Sequence, residues 1–508
     1  MFYGDWLHRR ELLSPNKVAL IDAVNNNQSI TYREWNQRAN RLANFLREVF
    51  GVGKGDRVSI YSMNRVEYLD ALFACNKLGA VLQVIYWRLK TRELEGIIND
   101  VEPEVLIYSQ EWSKQVEELR LELKSVENYL GLDQAVNDKD VYWLSERERW
   151  PDTQPPPVEL DWEDPWFICY TGGTAGISKG AVLHYRSVTW NSVNTVVSWG
   201  IRPDDVVPQF MPMFHTGGLN VLTIPLIHVG ATSIICPGFD IDRFFDQIDS
   251  LGVTFFFAVP TMFLMMIQHP RWEEVDLSGV RLVMAGGGNC PKVVYEAFWE
   301  KGVEFKEGYG LTEAGPNTFW LPGEEVKGKI GSVGRPLFHI DVKIMDDEGK
   351  TLGVNEIGHL LIRGPHVFGG YWNKPKETAE VIVDGWLRTG DLARVDEDGC
   401  YYIVGRSKAM IRSGGENIYP AEVEDVMHSH VDVADAALIP VPDPKWGEVG
   451  RAIVMLKPGS NLSEEDLTSW IRDQMAHFKV PKLIVFVDQL PKTAANKTDK
   501  KILIDLYG

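Results

Sequence analysis

The amino-acid sequence predicts an α/β protein, with a large N-terminal domain of mixed and parallel sheets and helices and a small α+β C-terminal domain. Short apolar, strand-like runs recur along most of the chain, and helix-like stretches lie between several of them. The chain has 508 residues, enough for roughly three domain-sized units with a large buried core. Beyond Gly405, about a hundred residues follow a pattern of their own, so we expect domains at 1–405 and 406–508.

The first long element that the sequence predicts is an amphipathic helix over residues 31–50. Thr31 followed by Glu34 is typical of a capping box, in which each side chain binds the other residue's backbone N–H. Further helices are predicted at 66–78 and 241–251. The apolar residues of the first helix recur at helical spacing and should face the core: Trp35, Ala39, Leu42, Leu46 and Val49.

Strand-like runs follow one another in the N-terminal part, and their alternation with helices indicates substantial parallel sheet. The nearest approach to a membrane span is Gly252–Ile267. Pro260 divides it into a strand-like and a helix-like half, and the whole is short for a span, so two buried elements are predicted. The strand-like runs are GDRVSIYS, AVLQVIY, PEVLIYS, WFICYT, ATSIIC, VTFFFAV and VRLVMAG.

The C-terminal hundred residues contain their own strands and helices. A glycine-containing turn leads into a predicted helix at Ala421. The runs DAALIPV and RAIVML read as strands, and SEEDLTSWIRDQM reads as a helix with Ser463 as its cap.

Composition and charge narrow the class of protein. A formal net charge of −19 disfavours nucleic acid or an anionic membrane as the main partner, so any anion site must be local. The five cysteines are far apart and form no C-x-x-C pair, which fits a reducing compartment and argues against structural zinc or a disulfide framework. No signal peptide or transmembrane segment is visible, and a cytoplasmic protein is expected.

The glycine-rich stretch YTGGTAGISKG, Tyr170–Gly180, predicts a phosphate-binding loop. Its glycines let backbone N–H groups approach an anion, Thr171 and Thr174 add hydroxyls, and Lys179 adds a positive charge. The stretch departs from the Walker pattern, since Ser178 replaces the second glycine. On its own the stretch is equally compatible with a flexible surface turn.

Five downstream motifs carry similar chemistry. AGGGNCP closes a strand with three glycines, and EGYGLTE offers an aromatic ring for a base and a carboxylate for Mg²⁺. WLRTGDLA presents Asp391 on a predicted turn, where a carboxylate suits a ribose diol. GRSKAMI brings Arg406 and Lys408 together, and PKTAANKTDKK carries Lys497. Taken singly, each is at least as well explained by an ordinary turn or a solvated basic segment.

In this order, the motifs resemble the adenylate-forming superfamily of acyl-CoA synthetases, aryl-CoA ligases, luciferases and peptide-synthetase adenylation domains, with fatty-acid–CoA ligases closest in look. The resemblance runs from about Thr31 to Lys501, and PMFHTGGLN and GYWNKPKETAE add to it. It implies that Glu313 holds Mg²⁺ and that Lys497 bridges the substrate carboxylate and the α-phosphate of ATP. It also implies that Lys408 is the hinge about which the small domain rotates.

The resemblance further implies the remaining site residues, by motif position. Thr171, Thr174 and Lys179 would hold the β- and γ-phosphates, and Thr312 the α-phosphate. Asp391 would take the ribose hydroxyls, with Arg406 beside it. The implied nucleotide and CoA residues also include Gly172, Gly173, Gly286, Gly287, Gly288, Gly308, Tyr309, Gly310, Leu311, Gly414, Gly415, Glu416 and Asn417. The implied acyl-site residues are His215, Gly217, Gly218, Gly287, Gly310 and Gly315.

The implied reaction joins a carboxylic acid to CoA. The carboxylate attacks the α-phosphorus of ATP, giving acyl-AMP and pyrophosphate, and a thiol then expels AMP. ATP, Mg²⁺ and CoA are the expected cofactors, and a homodimer is a family-based expectation. Medium- or long-chain fatty acids are the first expected substrates, and aryl acids such as benzoates and cinnamates the second. A stand-alone enzyme that loads a carrier protein is a further alternative.

The sequence departs from the family pattern at several positions. In the phosphate loop the usual serine is Gly172, the second threonine is Ala175 and the proline is Ser178, so two hydroxyls and one rigid residue are lost. Weaker binding of ATP is expected from these changes. Ala409 also stands where an acid commonly follows the hinge.

Overall fold

The computed structural model of the protein describes residues 4–171, 178–413, 416–493 and 497–508. Its helices are α1 (Trp6–Leu13), α2 (Tyr32–Phe50), α3 (Val66–Leu78), α4 (Thr91–Val101), α5 (Ser113–Leu119), α6 (Trp143–Glu146), α7 (Tyr185–Trp199), α8 (Thr216–Leu219), α9 (Thr223–Val229), α10 (Ile241–Leu251), α11 (Pro260–Gln268), α12 (Lys292–Glu300), α13 (Gly323–Val326), α14 (Pro375–Val381), α15 (Pro420–His428), α16 (Glu464–Gln474) and α17 (Lys500–Tyr507).

The strands alternate with these helices, as the sequence predicted. They are β1 (Val18–Asp22), β2 (Gln28–Thr31), β3 (Arg57–Tyr61), β4 (Val81–Val84), β5 (Val105–Tyr108), β6 (Asn128–Gly131), β7 (Val141–Tyr142), β8 (Pro165–Thr171), β9 (Lys179–His184), β10 (Val206–Gln209), β11 (Thr232–Ile235), β12 (Phe255–Ala258), β13 (Leu282–Ala285), β14 (Phe305–Glu307), β15 (Phe319–Trp320), β16 (Arg335–Pro336), β17 (Asp341–Met345), β18 (Gly358–Arg363), β19 (Ile382–Val383), β20 (Trp386–Val395), β21 (Tyr401–Arg406), β22 (Ile411–Ser413), β23 (Glu416–Ile418), β24 (Val433–Asp443), β25 (Gly447–Leu456) and β26 (Leu483–Val487).

A seven-stranded sheet with the order β7-β6-β5-β3-β4-β8-β9 forms the first layer. All of its neighbouring strands are parallel except β9, which pairs antiparallel with β8. Helix α3 connects β3 to β4 and α4 connects β4 to β5, which is the βαβ arrangement that the sequence predicted. The strands on either side of the predicted phosphate loop, β8 and β9, pair with each other as antiparallel neighbours.

Two smaller sheets lie in the same N-terminal part of the chain. One has the order β10-β11-β1-β2, and the other is the parallel sheet β12-β13-β14. Helix α11 begins at Pro260, so the apolar run around it is a strand followed by a helix. Among the described residues, no helix is both long and apolar enough to cross a bilayer.

Strands β17 to β21 form a five-stranded antiparallel sheet. The sequence predicted that Asp391 lies on a turn, and this is wrong, because the residue lies inside β20. The pairing of β18 with β20 shifts register across this segment, and Gly390 takes a left-handed φ of 76°. The turn-like residues therefore form an irregularity within a strand, which sequence patterns do not separate from a turn.

The C-terminal residues form a second α+β unit around the sheet β23-β22-β25-β24, to which β26 adds in parallel with β25. Ser463 caps α16 by accepting a hydrogen bond from the backbone N–H of Asp466, as predicted. Helix α15 begins at Pro420, one residue before the predicted start, because proline is well suited to the first helical position.

The predicted helix over residues 31–50 is α2, and its capping box between Thr31 and Glu34 is present. Its predicted core residues are buried with one exception: Val49 is 47% exposed. The last buried residue of α2 is Leu46. The spacing of apolar residues therefore predicted a buried face that extends one turn further than the structure shows. All five cysteines are free and buried.

Candidate active site

The β8–β9 hairpin presents the predicted phosphate-binding residues at the edge of the large sheet. Thr171 ends β8 and pairs in register with Lys179, which begins β9. The Thr171 hydroxyl donates to the Lys179 carbonyl at 3.4 Å. The predicted residues Gly172, Gly173 and Thr174 lie outside the described residues.

Tyr371 joins this hairpin to the YGLTE motif. The Lys179 ammonium lies 5.0 Å from the centre of the Tyr371 ring. The Tyr371 hydroxyl donates to Glu313 Oε1 at 2.8 Å. Desolvation and this carboxylate raise the pKa of Tyr371. No role was predicted for Tyr371 from the sequence, although it lies in the motif GYWNKPKETAE.

Asp391 is the centre of a second polar group. Its Oδ2 accepts from the Tyr309 hydroxyl at 2.5 Å, and its Oδ1 forms an ion pair with Arg406 Nε at 2.8 Å. These contacts arise because Asp391 and Arg406 are register partners on β20 and β21, while Tyr309 follows β14. Burial raises the pKa of Asp391, and Arg406 opposes that rise. The structure therefore brings together three residues predicted for the nucleoside.

The predicted glycines form the turns after β13 and β14, where they permit close approach. A Cβ on Gly286 would lie 2.8 Å from the Phe257 ring, and one on Gly308 would lie 3.2 Å from Met284 Cε. A Cβ on Gly310 would lie 2.2 Å from the carbonyl of Pro316. The chain between Gly310 and Pro316 thus folds tightly back on itself, around Leu311 and Thr312, and Thr312 is buried.

Lys497 reaches this site from the C-terminal part of the chain. A Cβ on Gly287 would lie 2.8 Å from Lys497 Cε, so the lysine side chain occupies the space above that glycine. Desolvation and the charge of Arg406 lower the pKa of Lys497, and Asp391 opposes them. Burial, with a contribution from the Lys497 charge, lowers the pKa of His215 to about 4. Lys497 therefore lies beside both predicted nucleoside and predicted acyl residues.

His215 caps the short helix α8 in the predicted acyl region. Its Nδ1 accepts from the Gly217 N–H at 3.0 Å, which leaves the proton of the neutral ring on Nε2. A Cβ on Gly218 would lie 2.2 Å from the Pro212 carbonyl oxygen. Gly315 has a φ of 62°, and its Cβ would lie 2.8 Å from Asn191 Oδ1. Protein atoms therefore leave no room for a side chain at Gly218 or Gly315.

The described residues predicted for the hinge and for CoA are exposed. Lys408 is exposed in the 3₁₀ turn after β21. Glu416 and Asn417 are exposed on β23, paired with β22. Gly414 and Gly415 lie outside the described residues.

A buried carboxyl lies where the C-terminal part meets the glycine turn. Glu307 accepts from the Cys290 N–H at 2.5 Å and from the Tyr295 hydroxyl at 2.6 Å. Burial, together with the nearby Asp425, raises the pKa of Glu307 to about 8. Asp425 lies on α15 and accepts from Asn289 Nδ2 at 3.3 Å. The seam between the two parts therefore carries a carboxyl that is neutral at neutral pH.

We expect Glu307→Gln to flatten the pH dependence of stability. The raised pKa contributes stability that is fully present below pH 4.5 and is lost progressively as the pH rises toward about 8. The variant should therefore match the parent near pH 5 and melt several degrees higher near pH 8.5, by thermal unfolding. The exposed Glu300→Gln is the control and should follow the parent at both pH values. An equal shift at both pH values for Glu307→Gln would contradict the expectation.

Comparisons with known proteins agree with this arrangement. The family model described as AMP-binding enzyme matches residues 7–372, and its C-terminal domain model matches residues 422–497. A feruloyl-CoA synthase of Amycolatopsis sp. is 38% identical over 498 residues, covering 97% of this chain and 96% of that protein. A long-chain-fatty-acid–CoA ligase of Mycobacterium tuberculosis (strain ATCC 25618 / H37Rv) is 32% identical over 508 residues, covering 99% and 98%.

A solved structure extends the likeness to three dimensions. The anthranilate CoA ligase in complex with anthranoyl-AMP matches with a TM-score of 0.93 and 28% identity, covering 99% of this chain and 97% of that chain. The fold and site define an adenylate-forming enzyme, and the chain belongs to the AMP-binding enzyme family. Within that family it is an AMP-forming acid–CoA ligase, with ATP and CoA as its co-substrates.

Proposed function

We propose that the protein joins an aryl acid to CoA through an acyl-adenylate, with the site residues in the roles that the family resemblance implies. The observation that carries the roles is the meeting of Lys497 with the Gly287 turn, beside Asp391, Arg406 and His215. An ammonium at this point can neutralise both the substrate carboxylate and the α-phosphate. The attacking carboxylate is already an anion, so the barrier is lowered by charge neutralisation and in-line placement.

Each residue around Lys497 contacts a different part of ATP in this proposal. Asp391 accepts hydrogen bonds from the ribose hydroxyls while Arg406 and Tyr309 hold its carboxylate in place. The glycine turns after β13 and β14 leave a slot for adenine beside the Tyr309 ring. Thr171 and Lys179 bind the β- and γ-phosphates, and the confined Thr312 binds the α-phosphate. These roles keep the leaving pyrophosphate and the nucleoside in fixed positions as the new bond forms.

Magnesium fits the donor set at Glu313. Its carboxylate offers the hard oxygen ligands that Mg²⁺ prefers, and the Tyr371 hydroxyl orients one of those oxygens. Among the described residues no group of three or more His, Cys, Asp or Glu side chains could hold a metal by itself. Glu313 would be the residue that holds the ion. When bound, it would neutralise phosphate charge.

His215 acts as a neutral hydrogen-bond donor in this proposal. A pKa of about 4 leaves its ring uncharged at neutral pH, and its Nδ1 is occupied by the Gly217 N–H. The Nε2 proton is then free to orient the substrate carboxylate without competing with Lys497 for negative charge. After adenylation, residues 406–508 rotate about Lys408 and withdraw Lys497. The 414–417 segment then lines the path of the CoA thiol.

The apolar wall beside the glycine turns favours an aryl acid. Phe257 and Met284 are register partners on β12 and β13, and Met284 packs in one buried cluster with Trp199 and Val221. The Trp199 ring stacks with Trp320 at a centroid distance of 6.2 Å. An aromatic ring gains more from packing against aromatic side chains than a flexible alkyl chain does, which favours an aryl acid beside this cluster. The 38% identical feruloyl-CoA synthase supports the same choice.

A fatty-acid substrate is the second candidate, favoured by the likeness to the long-chain-fatty-acid–CoA ligase. A pyrophosphate-release assay with CoA and Mg-ATP separates the two. Benzoates and cinnamates should give a kcat/KM at least about tenfold above that of fatty acids with 8 to 16 carbons. That ratio corresponds to a difference of roughly 1.4 kcal/mol in activation free energy. A reversed order would overturn the aryl assignment. Formation of ADP in place of AMP would overturn the adenylation chemistry itself.

A further inference from the structure

A cavity of about 680 Å³ lies where β9, the segment 369–375 and α14 meet. We call it the α14 cavity. The segment is fixed to β9, because the Val182 N–H donates to the Gly370 carbonyl at 2.9 Å and the Trp372 N–H donates to the Gly180 carbonyl at 2.8 Å. Small-molecule sites typically have volumes of roughly 300–1,000 Å³. Among the described residues, none that lines this cavity was assigned to ATP, the acid or CoA.

The lining of the α14 cavity favours a flat, uncharged ligand. Lys374 also lines the cavity, but its ammonium already lies 3.7 Å from the Asp100 carboxylate. Aromatic surface packs best against another flat ring, and the aliphatic residues exclude water around it. The rings and aliphatic side chains of the lining belong to His184, Tyr371, Trp372, Pro165, Val182 and Ile382.

His184 brings an unpaired nitrogen to this lining. Its Nδ1 is buried and, within the described ranges, has no hydrogen-bond partner. Gly369, which also lines the cavity, lies against the same edge of the ring, since a Cβ on it would overlap Cε1 and Nδ1 of His184. Burial lowers the pKa of His184, so the ring is neutral at neutral pH. The usual Nε2–H tautomer of a neutral histidine leaves Nδ1 as an acceptor, which a donor on a ligand would satisfy.

Tyr371 connects the α14 cavity to residues predicted for the phosphates and the metal. Its backbone N–H donates to the hydroxyl of Thr378, another lining residue, at 2.9 Å. Its own hydroxyl donates to Glu313 at 2.8 Å, and its ring lies 5.0 Å from the Lys179 ammonium. A ligand packed against Tyr371 therefore stabilises the arrangement in which Glu313 and Lys179 are held. By linkage, such a ligand and Mg-ATP increase each other's affinity to the same extent.

We propose that the α14 cavity is a regulatory site for an uncharged, flat aromatic molecule that carries a hydrogen-bond donor, such as an indole or a phenol. The donor binds His184 Nδ1, the ring packs against Tyr371 and Trp372, and occupancy tightens the binding of Mg-ATP. The inference goes beyond the proposed function. Binding in the cavity does not depend on which acid is the substrate, and only the effect on ATP uses the roles proposed for Lys179 and Glu313.

Crystals soaked in 5-bromoindole give the first test. The anomalous signal of bromine locates the probe, which should lie in the α14 cavity with its N–H nitrogen within about 3.2 Å of His184 Nδ1. Soaks in 5-bromo-1-methylindole, which lacks the donor, should give a bromine peak of much lower occupancy. Bromine peaks at the predicted acyl site alone, or on the protein surface alone, would overturn the inference and leave the proposed ligase reaction intact.

Calorimetric titration gives the second test, in solution and without turnover, because acid and CoA are left out. Saturating 5-bromoindole should lower the Kd for Mg-ATP by about fivefold or more. The N-methyl probe should need roughly tenfold higher concentration for the same effect, because it lacks one hydrogen bond. An unchanged Kd for Mg-ATP with the cavity occupied would overturn the regulatory role. Failure of every acid to release pyrophosphate from ATP would instead overturn the proposed function, which neither measurement uses.

Three variants complete the test. Ala379→Trp fills the cavity from an exposed position on α14 and should abolish both the bromine peak and the effect on Mg-ATP. Glu380→Trp is the matched control, since the next residue is exposed but does not line the cavity, and it should keep both. His184→Phe keeps a flat ring without the acceptor, so the preference for 5-bromoindole over its N-methyl derivative should fall to about one. Retained binding in Ala379→Trp, or full preference in His184→Phe, would overturn the inference.

Discussion

Lys497→Ala is expected to lower the rate of adenylation by about 100-fold or more, because it removes the positive charge beside the Gly287 turn. The attacking carboxylate and the α-phosphate are both negative, and no other lysine was assigned to them. The rate is measured as acid-dependent pyrophosphate release. Thioester formation from supplied acyl-AMP should persist, since AMP leaves without the help of this lysine in the proposed second step.

Lys501→Ala is the matched control for this prediction. Lys501 lies four residues further along, on α17, and is exposed. Its removal should leave both half-reactions near the parent rate. Equal loss of adenylation and thioester formation in Lys497→Ala would contradict the two-conformation mechanism, because one domain position would then serve both steps.

Gly310→Ala is expected to give the second large effect. The added Cβ would lie 2.2 Å from both the carbonyl carbon and the oxygen of Pro316, and backbone atoms cannot move away as a side chain can. The displaced loop carries Thr312 and Glu313, so adenylation should fall by about 100-fold or more. The melting temperature should fall with it, as for other overpacked positions.

A glycine in open space provides the control for that prediction. Gly96 lies inside α4, and a Cβ added to it would have no atom within 4 Å. Gly96→Ala should be neutral or stabilise the protein by roughly 0.5–1 kcal/mol, because alanine favours helix more than glycine does. Full activity of Gly310→Ala would show that the turn can open, and the tight loop would then not be needed to hold Thr312.

Much of the fold could be predicted from the sequence because its elements have strong local patterns. The α2 capping box depends on residues three apart, and the strand-like runs became β3, β4, β5, β8, β11, β12 and β13. The separation of α11 from β12 followed from Pro260 alone. Local sequence patterns do not predict where elements end or where a strand is irregular. Val49, which is exposed at the end of α2, and Asp391, which lies inside β20, are the two examples.

The sequence predicted the motifs that form the candidate site but not the contacts between their side chains. The residues next to Tyr371 in the sequence do not predict its contacts. Its hydroxyl donates to Glu313, 58 residues earlier, and its ring lies against the Lys179 ammonium. The expected homodimer and the expected cytoplasmic location remain predictions.

The contacts of the Tyr371 ring bear on which residues the glycine-rich loop can carry. It unites three segments that are remote along the chain, and the Gly370 carbonyl beside it also accepts from the Val182 N–H at 2.9 Å. Lys179 and Glu313 are thereby braced by residues outside the glycine-rich loop. In the proposed mechanism, the loss of ATP binding expected from Gly172, Ala175 and Ser178 is therefore smaller than the loop sequence alone suggests, because Tyr371 positions Lys179 and Glu313 from outside the loop.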